Sequence, residues 1–282
     1  MTNKARLSPG GDVSSEARLS PGGDVSSVTH STEVKPLSVA QWEYAQPRHD
    51  HLPRVNFRLQ CVGRSQAGKG TLLVNMVTRW YHGVFSKIFV FASTVGTDDT
   101  WKALEDYCIR SLGQNPDTEP FMFNTLDERR IARIVEDQRL RNLKHKREVK
   151  EGERDELQGI LIIVDDFSGD PSMRRSSGVL NRMFTIARHI GISIWTNVHD
   201  IVSLGALARR QTSCFIVFKL SDLNQYKSLK EAYAKMLPDP RLFDEVYEAA
   251  TSEKYGFLVI YPNSTDKNRM FMTSFKNWIE VS

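Results

Sequence analysis

Short apolar runs alternate with longer amphipathic stretches from about residue 55 to the end of the chain. The runs have the length of buried strands and are bounded by glycine or polar residues. Strands are predicted at Phe57–Val62, Lys87–Ala92, Phe121–Phe123, Ile160–Val164, Ile192–Thr196 and Phe215–Lys219. Because most of these runs are apolar throughout, they are typical of a sheet that is buried on both faces.

The stretches between the strands carry apolar residues at helical spacing. Helices are predicted at Leu72–Tyr81, Thr100–Leu112, Leu180–His189, Leu223–Met236 and Pro240–Thr251. Tyr255–Tyr261 and Arg269–Phe275 are predicted to form a closing hairpin with its turn at Pro262–Lys267. This order indicates an α/β fold with a central, mainly parallel sheet and helices on both faces. Ligands of such sheets bind at the carboxyl ends of the strands.

The beginning of the chain has a different composition. The segment ARLSPGGDVSS occurs at Ala5–Ser15 and again at Ala17–Ser27. Its many small and polar residues supply too little apolar surface for a core. We therefore expect residues 1–38 to be a disordered low-complexity tail and residues 39–282 to form one folded domain. A docking or localisation segment is the alternative interpretation of the tail.

The bulk composition excludes few functions. Hydrophobic residues make up 40% of the 282 residues, and a net charge of +4 neither requires nor excludes a polyanionic partner. The three cysteines (Cys61, Cys108 and Cys214) are widely spaced, so no zinc site is indicated and a reducing compartment is expected. No apolar stretch of about 18 residues and no signal peptide is present, so we expect no membrane span and a protein that is not secreted.

The segment after the first strand has the GxxxxGK pattern of a phosphate-binding, or Walker A, loop. It comprises Gly63, Arg64, Ser65, Gln66, Ala67, Gly68, Lys69, Gly70 and Thr71. Glycines allow backbone N–H groups to surround phosphates, and the following helix directs its positive end at them. Lys69 would reach the β- and γ-phosphates as a point charge. The pattern predicts an ATP site, with a glycine turn between strand and helix as the alternative.

One position departs from this pattern. Gly70 stands where a serine or threonine normally offers its hydroxyl to magnesium. Water can take that coordination place, or Thr71 can take over the role beside a phosphate or the metal. We expect nucleotide binding to tolerate this change better than fast hydrolysis does.

A pair of carboxylates follows the buried strand Ile160–Val164, in the manner of a Walker B motif. Asp165 is predicted to hold Mg²⁺, mostly through water. Asp166 is placed to orient or deprotonate the attacking water. The alternative is a strand that simply ends in an acidic turn. The phosphate loop earlier in the same sheet favours the Walker B interpretation over this alternative.

Several motifs occur in a specific order along the chain. They are the loop Gly63–Thr71, the acidic-Trp segment Asp98–Trp101, the pair Asp165-Asp166, the element Arg188-His189 leading into Ile192–Ile194, and Arg210 before a late strand. In this order, and over nearly the whole chain after the tail, the sequence resembles the poxvirus-type DNA packaging ATPases of the FtsK–HerA superfamily. Relatives of that family occur in large DNA viruses, virophages and Polinton elements. The resemblance implies a RecA-like P-loop NTPase domain.

Members of that family are ring-forming motors that use ATP to drive double-stranded DNA into a capsid. The resemblance thus implies an ATP-hydrolysing translocase that forms a homo-oligomeric ring and contacts DNA without reading its sequence, with capsid proteins as further partners. It implies a virus assembly site in the host cytoplasm or nucleus. It also places His199 where the family usually has a glutamine sensor of the γ-phosphate, and it makes Arg188 and Arg210 candidate arginine fingers. A structural ion pair is the alternative for either arginine.

Residues 127–156 form a charged segment with a thin apolar stripe. The stripe consists of Ile131, Ile134, Val135, Leu140 and Leu143. The basic residues are Arg129, Arg130, Arg133, Arg139, Arg141, Lys144, Lys146, Arg147 and Lys150. Such a segment could line the pore of a ring and touch DNA phosphates. A solvated helix held by ion pairs is the alternative.

Two other functions remain open from the sequence. A nucleotide-binding scaffold derived from such an ATPase would suit Gly70 and His199, because both departures concern turnover more than binding. A nucleotide kinase would suit the Gly-Lys-Gly-Thr run, although no second-substrate signature follows it. Trp101 and His189 are expected to be structural rather than to contact ligand.

Overall fold

The computed structural model of the protein describes residues 43–149, 157–175 and 177–280. The predicted tail, residues 1–38, lies outside these residues, as does the end of the predicted charged segment. Among the described residues, no helix is both long enough and apolar enough to cross a membrane.

One nine-stranded sheet runs through the described part of the chain, in the order β3-β2-β4-β5-β1-β6-β7-β8-β9. The strands are β1 Arg58–Val62, β2 Phe85–Ala92, β3 Met122–Phe123, β4 Gly159–Asp165, β5 Ile192–Val198, β6 Cys214–Phe218, β7 Phe257–Ile260, β8 Phe271–Thr273 and β9 Asn277–Trp278. The first six strands pair in parallel. The remaining three extend the sheet in antiparallel fashion. The predicted mainly parallel sheet and the closing hairpin are therefore confirmed.

Helices connect the strands in the described residues. They are α1 Lys69–Asn75, α2 Asp99–Leu112, α3 Glu128–Glu148, α4 Pro171–Arg174, α5 Val179–Ile186, α6 Ala206–Gln211, α7 Leu223–Tyr233 and α8 Phe243–Thr251. Every residue of β1, β5 and β6 is buried. Because successive side chains of a strand point to opposite faces, the centre of the sheet is covered on both faces.

The helix after the phosphate loop ends differently from the prediction. Instead of one α-helix to Tyr81, α1 passes into a π-helical turn over Met76–Trp80, in which the N–H of Tyr81 donates to the carbonyl of Met76 at 2.8 Å. Tyr81 is buried beyond this turn, whereas Arg79 and Trp80 line a cleft. π-helical turns occur frequently at functional sites.

The apolar stripe predicted for α3 is wrong in its second half. Leu140 and Leu143 are 49% and 38% exposed, and the buried face continues instead through the polar Gln138 and Asn142. Gln138 Nε2 donates to the carbonyl of Gln158 at 2.9 Å, and Asn142 Nδ2 donates to that of Ile190 at 2.7 Å. The amides are buried here because they bond to backbone carbonyls just before β4 and β5, which apolar side chains cannot do.

A close contact joins the segment before β1 to the turn that begins β5. Gly191 has φ +74, and a Cβ added there would lie 2.3 Å from Cε1 of Tyr44. The ring of Tyr44 also receives a hydrogen bond from Asn142 Nδ2 to its hydroxyl at 3.3 Å. Glycine is therefore required at position 191 by the backbone conformation and by the neighbouring ring alike.

Gly191→Ala is expected to destabilise the protein more than Gly113→Ala. Gly113 ends α2 with φ +67 and has no atom within 4 Å of an added Cβ, so its substitution costs only the left-handed conformation, about 1 kcal/mol. Gly191→Ala adds the overlap with Tyr44, roughly 1–3 kcal/mol more. Urea unfolding measures both.

A double-substitution cycle identifies the source of the difference. In a Tyr44→Ala background, the additional cost of Gly191→Ala should disappear, because the overlapping ring is gone. Equal costs for the two glycine substitutions in the original background would contradict the role assigned to Tyr44.

Candidate functional site

A cleft of about 840 Å³ lies at the edge of the sheet where the parallel strands end. Its walls include the whole of α1's first turn, the pair Asp165-Asp166 after β4, and His199 after β5. Phe218, the last residue of β6, closes another side. The structure thus brings together the predicted phosphate loop, acidic pair and sensor position at the edge expected for a ligand of this fold.

The loop between β1 and α1 has the conformation of an anion-binding nest. Gln66 and Gly68 have positive φ angles of 60° and 101°, so successive backbone N–H groups turn towards one side. Gly63 approaches β6 closely, because a Cβ there would lie 3.0 Å from Cβ of Phe218. The loop is therefore shaped for a phosphate group and is held against the sheet where a larger residue would not fit.

Lys69 is buried at the base of this loop. Its Nζ donates to the carbonyls of Gly63 at 2.6 Å and Arg64 at 3.0 Å. Burial lowers the pKa of Lys69, against the opposing charges of Asp165 and Asp166. The ammonium is thus held inside the loop by backbone carbonyls, ready to exchange them for the stronger acceptor that a phosphate oxygen offers.

The two carboxylates lie in different environments. Asp165, the last residue of β4, is partly buried, and burial raises its pKa against the opposing effects of the Asn197 amide and the Lys69 ammonium. Asp166 is exposed and has φ +59. The reversal of the backbone between the two residues turns Asp165 towards the interior and Asp166 towards the open cleft. These environments suit the two predicted roles, a metal-holding carboxylate and a carboxylate that meets water.

His199 contacts three groups of the site. Its Nε2 lies 3.0 Å from Oδ1 of Asp166, and its Nδ1 lies 3.4 Å from Nζ of Lys69 and 3.2 Å from the carbonyl of Gly63. The sequence placed His199 near the γ-phosphate but did not predict its link to Asp166. The imidazole therefore connects the phosphate-binding lysine to the exposed carboxylate.

The geometry distinguishes the protonation states of this imidazole. With the proton on Nε2 alone, His199 donates to Asp166 and its Nδ1 accepts from the third N–H of Lys69. Protonation of Nδ1 as well makes it a donor to the carbonyl of Gly63 and removes the acceptor for Lys69. A change of charge on His199 therefore alters the hydrogen bonds of the phosphate loop itself.

Gly70, where the loop lacks a side-chain hydroxyl, lies beside another threonine. A Cβ at Gly70 would lie 3.2 Å from Cγ2 and 3.9 Å from Oγ1 of Thr100, in the first turn of α2. Thr71 and Thr100 both line the cleft. Within the described residues no group of three or more His, Cys, Asp or Glu side chains forms a metal site. Asp165 with a threonine hydroxyl and water fits Mg²⁺, which usually takes few protein ligands.

The candidate arginine fingers do not line the cleft of their own chain. Arg188 lies just before β5, and Arg210 lies in α6 just before β6, so both are near the opposite, amino-terminal edge of the strands. Arg188 Nε donates to Nε2 of its neighbour His189 at 3.1 Å. Arg209, by contrast, donates to the carbonyl of Leu204 at 2.6 Å and thus has a structural contact. Arg210 is exposed, so of these two neighbouring arginines it is the one that stays a candidate finger.

Several residues of the cleft were not predicted as site residues from the sequence. Thr100 was noted only as part of a helix and of the acidic-Trp segment, and Tyr255 only as part of a strand, although both line the cleft. Their local pattern does not show that they reach the site, because they do so through tertiary packing. Trp101 also lines the cleft, but it is buried and its Nε1 donates to Oγ1 of Thr94 at 2.9 Å, which suits the structural role predicted for it.

Solved structures with a similar fold include the genome packaging NTPase B204 from Sulfolobus turreted icosahedral virus 2. Its complex with sulfate has a TM-score of 0.52 at 13% identity, covering 77% of this chain and 95% of B204. Its complex with ATP-gammaS has a TM-score of 0.51 at 12% identity, covering 77% and 96%. Its complex with AMP has a TM-score of 0.50 at 13% identity, covering 76% and 95%.

These similarities show the fold. The chain has an α/β P-loop NTPase fold, and the predicted resemblance to viral genome packaging ATPases is confirmed for the fold alone. No protein-family model matches the chain, and the search of curated proteins likewise found no match.

Proposed function

We propose that this protein is an ATP-hydrolysing translocase that packages double-stranded viral or mobile-element DNA into capsids. The observation that carries the proposal is the convergence of Lys69, Asp165, Asp166 and His199 on one cleft beside a phosphate-binding nest. The fold shared with a genome packaging NTPase supports the biological setting. The work would take place at a virus assembly site inside the host cell.

In the proposed reaction, Lys69 and the backbone N–H groups of the loop bind the β- and γ-phosphates. Phosphate binding draws the ammonium of Lys69 away from the carbonyls of Gly63 and Arg64. Asp165, with the hydroxyl of Thr71 or Thr100, would hold the Mg²⁺ ion that neutralises phosphate charge. The backbone positions these groups before substrate arrives, so little reorganisation accompanies the reaction.

Asp166 is the proposed base for the attacking water. Its carboxylate faces the open cleft, and Nε2 of His199 lies within hydrogen-bonding distance of it. The water transfers a proton to Asp166 as its oxygen bonds to the γ-phosphorus, and ADP leaves. The Nε2–H group of His199 donates to Asp166 and orients its carboxylate. Through Nδ1 the same imidazole contacts Lys69, so it links the proposed base to the lysine that binds the γ-phosphate.

A ring of subunits suits the positions of the two candidate fingers. Arg188 and Arg210 are exposed and lie away from the cleft of their own chain, so either would reach a phosphate only in a neighbouring subunit. An arginine supplied in this way stabilises the negative charge that develops in the transition state. The homo-oligomeric ring is therefore part of the proposal.

The basic residues of α3 are the proposed DNA contact. Its charge is partly neutralised inside the helix, because Arg139 pairs with Glu136 at 2.6 Å and Lys144 with Glu148 at 3.8 Å. These pairs favour the interpretation as a solvated helix for part of the segment. Exposed ion pairs are weak, however, and a phosphate can compete for their basic partners.

A nucleotide-binding scaffold is the second candidate function. Gly70 offers no side-chain ligand for Mg²⁺. This feature would slow turnover more than it would weaken binding. A nucleotide kinase has no separate observation in its favour.

ATP hydrolysis by the purified full chain, with and without linear duplex DNA, tests the main proposal. We expect phosphate release that DNA stimulates, and a loss of at least about a hundredfold in Lys69→Ala, because a charge at the phosphates is removed. Binding of ATP without phosphate release under either condition would favour the scaffold.

Neutralising basic residues of α3 is expected to weaken DNA binding. In the variant with Arg139, Arg141, Lys144 and Lys146 changed to glutamine, the slope of log affinity against log salt should fall by up to about 3.6, which is 0.9 for each DNA phosphate that the variant no longer neutralises. The measurement is a titration of duplex DNA at several salt concentrations.

The matched control changes four exposed basic residues elsewhere, namely Lys227, Lys235, Arg241 and Lys276. This control removes the same net charge but leaves the basic residues of α3 intact. Equal losses of affinity in the two variants would mean that only the overall charge of the protein matters, and an unchanged affinity in the α3 variant would remove α3 from the DNA path.

A further inference from the structure

The lining of the cleft contains two chemically different sets of side chains. One set is charged and includes Asp165, Asp166 and His199. The other set is aromatic and includes Trp80, Phe218, Tyr255 and Phe257. Phosphates and a metal ion account for the charged set only. Ligand sites commonly combine a few placed polar groups with such an apolar wall.

Tyr255 is the exposed aromatic of this wall. Its side chain is 59% exposed, although most other large apolar groups near the cleft are buried. Its ring lies against the phosphate loop, since a Cβ at Gly68 would be 3.4 Å from Cδ1 of Tyr255. The ring therefore stands beside the loop and presents its surface to the cleft rather than to the core.

The backbone holds Tyr255 in a conformation that a bulky residue rarely adopts. Its φ angle is +65°, in the left-handed region. The next residue, Gly256, packs so tightly that a Cβ there would lie 2.8 Å from the carbonyl of Ala250. Phe257 then pairs with Phe218 in the sheet. The neighbouring turn and strand thus determine the position of the ring, and strain of this kind concentrates at ligand sites.

We propose that the ring of Tyr255 is the surface on which the base of the bound nucleoside triphosphate stacks. This inference rests on the proposed function only in requiring that the phosphate loop binds a nucleotide. Trp101 cannot serve instead, because it is only 3% exposed and its Nε1 is bonded to Thr94. The ammonium of Lys254, 5.1 Å from the centre of the Tyr255 ring, supports the ring by a cation–π contact.

Stacking has a definite consequence for ligand choice. Every base has a π face, so stacking on an aromatic side chain strengthens binding without reading hydrogen-bonding groups. The contribution of Tyr255 should therefore appear with any nucleoside triphosphate and should be absent with inorganic triphosphate, which has no base.

The test compares the dissociation constants of ATP and of inorganic triphosphate, both with Mg²⁺, for the full chain. Tyr255→Ala should weaken ATP binding about tenfold or more. It should leave inorganic triphosphate within about twofold. Tyr255→Phe, which keeps the ring, should bind both ligands like the original protein. Leu223→Ala, an exposed apolar residue of α7 outside the cleft, is the matched control for loss of a surface side chain.

Equal weakening of both ligands in Tyr255→Ala would overturn the inference, because the ring would then act on the phosphate loop rather than on the base. Unchanged ATP binding in that variant would overturn it too. A selective loss of ATP binding in a protein that releases no phosphate would support the stacking role and contradict the proposed motor. An original protein that binds neither ligand would contradict both.

Discussion

Parallel hydrogen bonding between β4, β5, β1 and β6 sets the geometry of the site. Asp165 pairs with Asn197, Asn197 with Cys61, and Cys61 with Ile216, so these residues form one row across the sheet. The strands end just beyond this row, and the phosphate loop, the acidic pair and His199 all start from it. A register shift of one residue in any pair would move a functional group by more than about 3 Å along its strand and turn it to the other face.

The burial of Lys69, which lies just beyond the carboxyl ends of these strands, determines much of the electrostatics of the site. The ammonium of Lys69 has lost much of its water, which lowers its pKa, and two loop carbonyls with His199 Nδ1 replace that water. A phosphate is a better partner for the charge than these neutral acceptors. In the proposed reaction, nucleotide binding would release the carbonyl of Gly63 and an acceptor on His199 together. Because His199 also bonds to Asp166, one side chain would then link the presence of a γ-phosphate to the orientation of the proposed base.

Local patterns in the sequence predicted the strands, the closing hairpin and the phosphate loop, because each depends on residues close together in the chain. The elements that were missed, α4, α6 and β9, are too short for hydrophobic periodicity to show. The buried face of α3 was predicted wrongly since Gln138 and Asn142 bond to carbonyls from distant segments. The same limit applies to the site, where Thr100 and the His199–Asp166 contact depend on residues far apart in sequence.

The positions of strained backbone help to decide between the two proposed functions, ATP hydrolysis and nucleotide binding alone. Among the described residues, six other than glycine have positive φ angles, and Gln66, Asp166 and Tyr255 of these six line the cleft. Such conformations cost of order 1–3 kcal/mol each and persist where the surrounding structure enforces them. Each of the three serves a different part of a nucleotide site: the nest, the proposed base and the aromatic wall. Thr100 beside Gly70 adds a hydroxyl close to the place where the loop lacks one. In the proposed function, the exposed carboxylate of Asp166 would meet the attacking water, whereas nucleotide binding alone makes no use of it. The strained backbone at Asp166 therefore supports the proposal of hydrolysis over that of binding alone.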